Sequence, residues 1–261
     1  MAELSIRPLH CGTIHTDYSN MVYWTNFGTK IDIPSFIYLI EGADQKIVVD
    51  TSYLDPERGG APWPATRTPE QDVKKQIESA GWKCEDVEIL ILTHLHWDHS
   101  QNCDLFPNAV KYVWAKELQY AMCPVSLQAK PYDSPIHPNT RWPVYAQQNI
   151  IFEPIWKDEF EIVPGVMYFH TPGHTPGHCS VAVETKVGTY VIAADVIQIQ
   201  EGLDRRVPAG QMSSMSDAIN SIDRCISIAS KEEYILPGHE ITVLEHDAVS
   251  YTHLRAHETD S

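Results

Sequence analysis

Thr93-His94-Leu95-His96-Trp97-Asp98-His99-Ser100 follows directly on the apolar run Val87-Glu88-Ile89-Leu90-Ile91-Leu92. That run has the length of a strand, so the histidine-rich stretch sits where a buried strand gives way to a loop. This is the usual place for a site in α/β architecture. His94 and His96 alternate, and alternate side chains of an extended backbone share a face. Asp98 continues the alternation and His99 breaks it. Three imidazoles and a carboxylate this close would repel if charged and strand polar nitrogens if buried. A metal ion resolves both problems, because neutral imidazole is the commonest biological metal ligand and a carboxylate offsets the cation's charge.

Three later stretches match the first. Thr171-Pro172-Gly173-His174-Thr175-Pro176-Gly177-His178 presents a histidine in a turn stiffened by proline and glycine. Ala193-Ala194-Asp195 ends an apolar strand in a lone carboxylate, and Pro237-Gly238-His239 ends another in a histidine. All are strand ends, so all are able to meet at one edge of the sheets. The ordered set H-x-H-x-D-H, G-H-x-x-G-H, strand-end Asp and late G-H points to metal binding.

The rest of the chain reads as alternating strands and helices. Residues 36–40 and 46–50 form a hairpin across Glu41-Gly42-Ala43-Asp44. Thr68-Pro69-Glu70-Gln71 starts a helix that runs to about Ala80 and stops at Gly81. Residues 110–114 are a strand and 115–122 a short helix. Residues 123–149 carry five prolines with Tyr132, Trp142 and Tyr145, the profile of a lid or binding loop. From Ile150 the pattern is β-rich, at 150–155, 160–170, 179–185 and 189–194. Residues 198–215 read as loop. A helix follows over 216–229 with Ile219, Ile222, Ile226 and Ala229 on one face, then a last strand over 233–236. Residues 1–35 read as loop and edge strand, with Tyr18, Tyr23, Trp24 and Phe27 either packing it or forming a lip over a pocket. The order fits an α/β fold of mixed sheets covered by helices, in one domain over residues 1–248.

The last stretch, 249–261, does not continue this pattern and resembles translated adapter sequence. The native chain is therefore expected to end near Ala248, and His253 and His257 are set aside.

The 261 residues carry a net charge of −16, which argues against nucleic acid and anionic membranes as partners. No run approaches the roughly 18 apolar residues of a membrane span. The six cysteines, Cys11, Cys84, Cys103, Cys123, Cys179 and Cys225, are scattered without a C-x-x-C pair. That is the usage of reduced thiols in a cytoplasmic protein.

With these motifs in place the chain resembles the metallo-β-lactamase superfamily over roughly residues 30–245. The resemblance implies an αβ/βα four-layer sandwich of two mixed β-sheets flanked by helices, with a dinuclear site between the sheets. Carried over, His94, His96 and His174 hold the first metal. Asp98, His99 and His239 hold the second, and Asp195 bridges them. Two zinc ions are expected from imidazole and carboxylate ligands, with iron and manganese as the other options. The diiron oxygen-reducing branch carries Glu where this chain has His96. The implied chemistry is attack of a metal-bridging hydroxide on an acyl carbonyl, with Asp98 moving the proton to the leaving group.

Residues 151–183, IFEPIWKDEFEIVPGVMYFHTPGHTPGHCSVAV, resemble the N-acyl homoserine lactonase group. The length leaves no extension of the glyoxalase II kind. Two positions depart from the group: Gln198 stands where a Tyr usually follows the bridging Asp by three residues, and Asp50-Thr51-Ser52 replaces D-T-G. The expected activity is opening of a lactone, an N-acyl homoserine lactone or a related cyclic ester. Thioesters, other esters and cyclic amides are the alternative substrates, and a non-catalytic metal scaffold is the third reading. Gln198 and Trp97 are the expected substrate contacts. The expected partner is a small-molecule acyl substrate, and the expected assembly a homodimer.

Overall fold

The computed structural model describes residues 3–56, 62–133 and 143–245. The expectations placed on His137, on Trp142 and on the stretch 249–261 lie outside the described residues.

Seven strands form the first sheet: β1 (Ser5–Asp17), β2 (Lys30–Glu41), β3 (Ile47–Val49), β4 (Ala65–Thr66), β5 (Ile89–Ile91), β6 (Val110–Trp114) and β7 (Phe152–Ile155). They run in the order β4-β1-β2-β3-β5-β6-β7. The hairpin side is antiparallel, and β3, β5, β6 and β7 are parallel to one another. Five strands form the second sheet: β8 (Glu159–Val163), β9 (Val166–His170), β10 (Cys179–Thr185), β11 (Gly188–Ala194) and β12 (Ile235–Pro237). Their order is β12-β11-β10-β9-β8, antiparallel except for the β11–β12 pair.

The period-2 alternation of the strands divides the core into layers. Phe36, Tyr38 and Ile40 of β2, Ile47 and Val49 of β3, and Ile89 and Ile91 of β5 face the second sheet. There they meet Val181, Val183, Tyr190, Ile192 and Leu236. The intervening Ile37, Leu39, Val48 and Leu90 face outward against Val73 and Ile77 of the helix α2 described below. Strands buried on both faces read as unbroken apolar runs, which is why 36–40 and 89–92 show no polar alternation. The second sheet does the same, with Ala182, Val191 and Ala193 turned to Ile222 and Cys225. Each fully buried Val, Leu or Ile contributes roughly 1.5–3 kcal/mol, so this layered core dominates the stability. The result is the expected four-layer sandwich, and it brings the C-terminal ends of β5, β11 and β12 to one edge.

The helices are α1 (Tyr18–Met21), α2 (Val73–Ser79), α3 (Trp97–Ser100), α4 (Ala115–Met122), α5 (Gln200–Arg205) and α6 (Met215–Ile228). None among the described residues is long and apolar enough to cross a membrane. Several local expectations are revised. The helix expected over 68–80 breaks at Asp72. The Thr68/Gln71 capping box closes only a 3-10 turn, and the Asp72 carboxylate then accepts from the Lys74 and Lys75 N–H groups to start α2 afresh. The β stretch 160–170 is a hairpin turning at Pro164-Gly165, with Gly165 at φ +85°. Residues 198–215 hold α5 rather than loop alone. On α6 the buried stripe is Ala218, Ser221, Ile222 and Cys225, and Ile219 turns outward at 38% exposure. The first 35 residues hold the 13-residue strand β1, the helix α1 and the start of β2, and Trp24 and Phe27 are exposed.

Candidate metal centre

His94 and His96 lie just past β5, and His96 is the N-cap residue of α3 with extended backbone angles. The alternation ends there. Asp98 and His99 enter the site from a helical turn, not from a continued strand. His174 comes from the turn between β9 and β10, which is wedged between two helices. A Cβ at Gly173 would overlap the Ala218 backbone of α6, and one at Gly177 would overlap the Glu117 backbone of α4. Glycine is therefore required at both places by close approach. Asp195 follows β11 and His239 follows β12.

The seven residues converge, all of them buried. His94, His96 and His174 form one trio with ligand atoms within 4.8 Å of one another, and Asp98, His99 and His239 form another. Within the first, His174 Nε2 lies 2.9 Å from His96 Nδ1. Within the second, His99 Nε2 and His239 Nε2 each lie 3.7 Å from Asp98 Oδ2. Asp195 stands between the two trios. Its Oδ1 faces His99 Nε2 at 3.0 Å and His239 Nε2 at 3.2 Å, while its Oδ2 faces His174 Nε2 at 3.3 Å.

The cluster is organised for cations. His94 Nε2, His99 Nε2 and Asp195 Oδ1 are buried with no hydrogen-bond partner among the described residues. An unsatisfied buried polar atom costs about 1–3 kcal/mol, so a group of them aimed at one another needs a further partner. A histidine–aspartate set with one carboxylate shared between two trios has the make-up of a dinuclear metal site. Three outer nitrogens are already fixed, as metal-binding imidazoles require, while His96 Nε2 has no hydrogen-bond partner among the described residues. His99 Nδ1 meets Asp50 Oδ2 at 2.8 Å, His174 Nδ1 meets the Gln211 carbonyl at 2.8 Å, and His239 Nδ1 meets the Pro34 carbonyl at 2.8 Å.

Electrostatics separate the two trios when only the protein's own charges are counted. Burial, then neighbouring imidazoles, hold His94 and His96 well below the ordinary histidine range, and burial lowers His174 as well. Burial also works against charge on His99 and His239, but Asp195 and Asp98 outweigh it and raise both. Burial raises the carboxyl of Asp98. It acts in the same sense on Asp195, where His99, His239 and His174 outweigh it and hold that carboxyl well below the usual range.

Above the cluster lies a cavity of about 40 Å³, lined in part by Ile14, Met21, Ile33, Trp63, Trp97 and Gln198. Both expected substrate contacts are on this wall. The Gln198 amide donates from Nε2 to Asp195 Oδ2 at 2.9 Å. The other histidines among the described residues belong to neither trio, although the His178 ring packs 5.0 Å from that of His94. His178 accepts the Asp195 N–H on Nε2 at 3.1 Å and its Nδ1 sits against Thr171, a hydrogen-bonding role. His170 stacks on Trp114, and His15 pairs with Asp32 and Thr66. Tyr132 and Tyr145 pack into the outer helical layer, not the cavity wall. Cys103 and Cys179 are buried thiols.

Sequence reasoning missed the supporting carboxylates. Asp50 takes the Thr93 N–H on Oδ1 and the Thr93 hydroxyl and His99 on Oδ2, all at 2.8 Å. The D-T-S signature was its only signal. Ser52 sits at φ +57°, a left-handed angle that suits glycine, and its hydroxyl is bonded to Ser35 and Arg67. Glu117 is fully buried and ties Leu95, Tyr132 and Thr175 together.

Two facing mixed sheets, helices outside, and a histidine–aspartate cluster at the strand ends define a metal-binding sandwich of the hydrolase type. The chain belongs to the metallo-beta-lactamase superfamily, whose profile matches residues 31–239. It is similar to an N-acyl homoserine lactonase of Bacillus sp, with 29% identity over 246 residues, 88% of this chain and 90% of the relative. An N-acyl homoserine lactone hydrolase, solved with N-hexanoyl-L-homoserine at its catalytic metal center, superposes with a TM-score of 0.76 at 23% identity, covering 92% of this chain and 95% of that one. AidC, a dizinc quorum-quenching lactonase, superposes with a TM-score of 0.66 at 18% identity, covering 92% and 89%. These superpositions bear on the fold.

Proposed function

We propose that this chain is a dinuclear metal-dependent hydrolase that opens lactones, either N-acyl homoserine lactones or a related cyclic ester. The carrying observation is Asp195, which turns one carboxylate oxygen to His99 and His239 and the other to His174. On this reading His94, His96 and His174 would hold one zinc ion, Asp98, His99 and His239 would hold the other, and Asp195 would serve both. Bound there, the cations would supply a water of lowered pKa and polarise the acyl carbonyl.

The chain's own residues do the rest. Trp97, Ile33 and Met21 line the cavity with apolar surface and limit the water that reaches the acyl group. Gln198, held by its bond to Asp195, fixes the side from which the ring approaches. Asp98 is the residue that carries a proton to the departing ring oxygen. The 29% identical lactonase relative supports the lactone. Gln198 in place of the usual phenol favours the wider reading, in which other esters, thioesters or cyclic amides are the substrate. The cavity opening onto His96, Asp98 and His174 speaks against a purely structural metal site, since structural zinc is normally closed.

The reading includes a single domain over residues 1–248 and a cytoplasmic protein assembled as a homodimer, which sedimentation tests. The six free thiols support the compartment. The function is tested by measuring metal content and then turnover of a panel of lactones, thioesters and cyclic amides by the zinc-loaded protein. Two equivalents of zinc and ring opening of lactones are expected. A fully loaded protein that opens no lactone would overturn the reading.

A further inference from the structure

We propose that Glu117 is a positioning residue that sets the first histidine trio independently of the second. The inference deepens the metal-site reading above, and its test separates the two.

Glu117 lies on α4, fully buried, and touches none of the histidines that it serves. Its Oε1 accepts the Leu95 N–H at 3.0 Å and the Tyr132 hydroxyl at 2.8 Å. Its Oε2 accepts the Thr175 hydroxyl at 2.7 Å. Leu95 is the residue between His94 and His96, and Thr175 follows His174 directly. One carboxylate therefore grips both segments that deliver the first trio, one from each sheet. Tyr132, held by the same carboxylate, presses its ring edge-on to the His96 imidazole with centroids 4.5 Å apart. That contact sets the plane of a ring whose Nδ1 must face His174.

The second trio has its own support. His99 rests on Asp50, and His239 on the Pro34 carbonyl. Neither belongs to the Glu117 network. Glu117 thus grips only segments of the first trio, whereas Asp50 also holds Thr93, whose hydroxyl lies 3.2 Å from His94 Nδ1, so disturbing Glu117 should move the first trio and leave the second in place. Asparagine is too short to reach both segments. Glutamine keeps the length but can offer an acceptor on only one side, and its amino group meets donors on the other.

The test uses Glu117→Gln and Glu117→Asn beside the wild-type protein. In the metal-loaded proteins, competition with a chromophoric chelator reads each binding step. We expect one step to weaken by about 10–100-fold, as for loss of an outer-shell partner, with the other step unchanged and the glutamine variant less affected than the asparagine one. In the metal-free proteins, imidazole nitrogen resonances provide a readout independent of any metal. Those of His96 and His174 should shift, and those of His99 and His239 should stay. A purely structural role predicts a lower melting temperature with both steps weakened and all four resonances moved. That result, or no change in His96 and His174, overturns the proposal. A wild-type protein that binds no metal would sink the proposed function, while the resonances would still decide the role of Glu117.

Discussion

The floor of the cavity and its wall are held in different ways. On the floor, His99, His174 and His239 each have the outer nitrogen fixed at 2.8 Å, by Asp50 and by the carbonyls of Gln211 and Pro34. Along the wall, Ile14, Met21, Ile33 and Trp97 offer apolar area, and the one polar side chain expected to meet substrate, Gln198, is tied to the floor through Asp195. The floor answers to the geometry of a metal, which is the same for every substrate. The wall answers to the substrate, and its residues come from β1, α1, β2, α3 and the loop after β11. A chain can therefore keep the floor and change what it acts on.

The largest expected effect breaks the floor. Asp98→Asn keeps the shape and removes the proton carrier. Turnover should fall by about 10²–10⁴-fold, the range for a general acid or base, while the circular dichroism spectrum is unchanged. Full activity in that variant would refute the role given to Asp98. Next comes the support of the second trio. Asp50→Ala leaves His99 Nδ1 and Thr93 without their acceptor. Metal binding should weaken by about 10–100-fold, as measured by chelator competition, most at the step that uses His99, because the Thr93 hydroxyl also meets His94 Nδ1 at 3.2 Å. A smaller effect is expected on the wall, where Gln198→Tyr restores a phenolic donor. Turnover of N-acyl homoserine lactones should rise by about tenfold, the worth of one hydrogen bond of roughly 1.4 kcal/mol. No rise would mean that the missing phenol is not what separates this chain from the lactonase group. The smallest concerns Ser52→Gly. It relieves left-handed strain of about 1–2 kcal/mol and loses hydroxyl bonds of about 1 kcal/mol each. The melting temperature should move by about 4 °C or less.

The same division explains what could be read from the sequence. His94 to His99, His174, Asp195 and His239 were legible because each sits in a spaced motif at a strand end. The strands 36–40 and 89–91 were legible as apolar runs, and the layers followed from them. Glu117 was not singled out, and Asp50 appeared only in the D-T-S departure with no role attached, because a carboxylate in a sequence looks the same whether it grips a buried backbone or faces water. Trp63 lies in a proline-rich stretch with no periodicity to mark it. The helix α5 is mostly polar, with only Gly202 and Leu203 buried, so no apolar stripe announced it. Asp72 was read through as helix interior, because the Thr68 cap four residues earlier is the stronger local signal.

The division of the donors between the sheets has one more consequence. His94, His96, Asp98 and His99 follow β5 of one sheet, whereas His174, Asp195 and His239 come from the loops and strand ends of the other. On the proposed function, cations held between them would act as rivets across the sandwich. A ligand that binds only the folded state adds about 4 kcal/mol when present at about a thousand times its dissociation constant. Such an increment is of the order of a whole protein's margin of stability. On the proposed function, stripping the metal should therefore lower the melting temperature and speed proteolysis as well as remove activity.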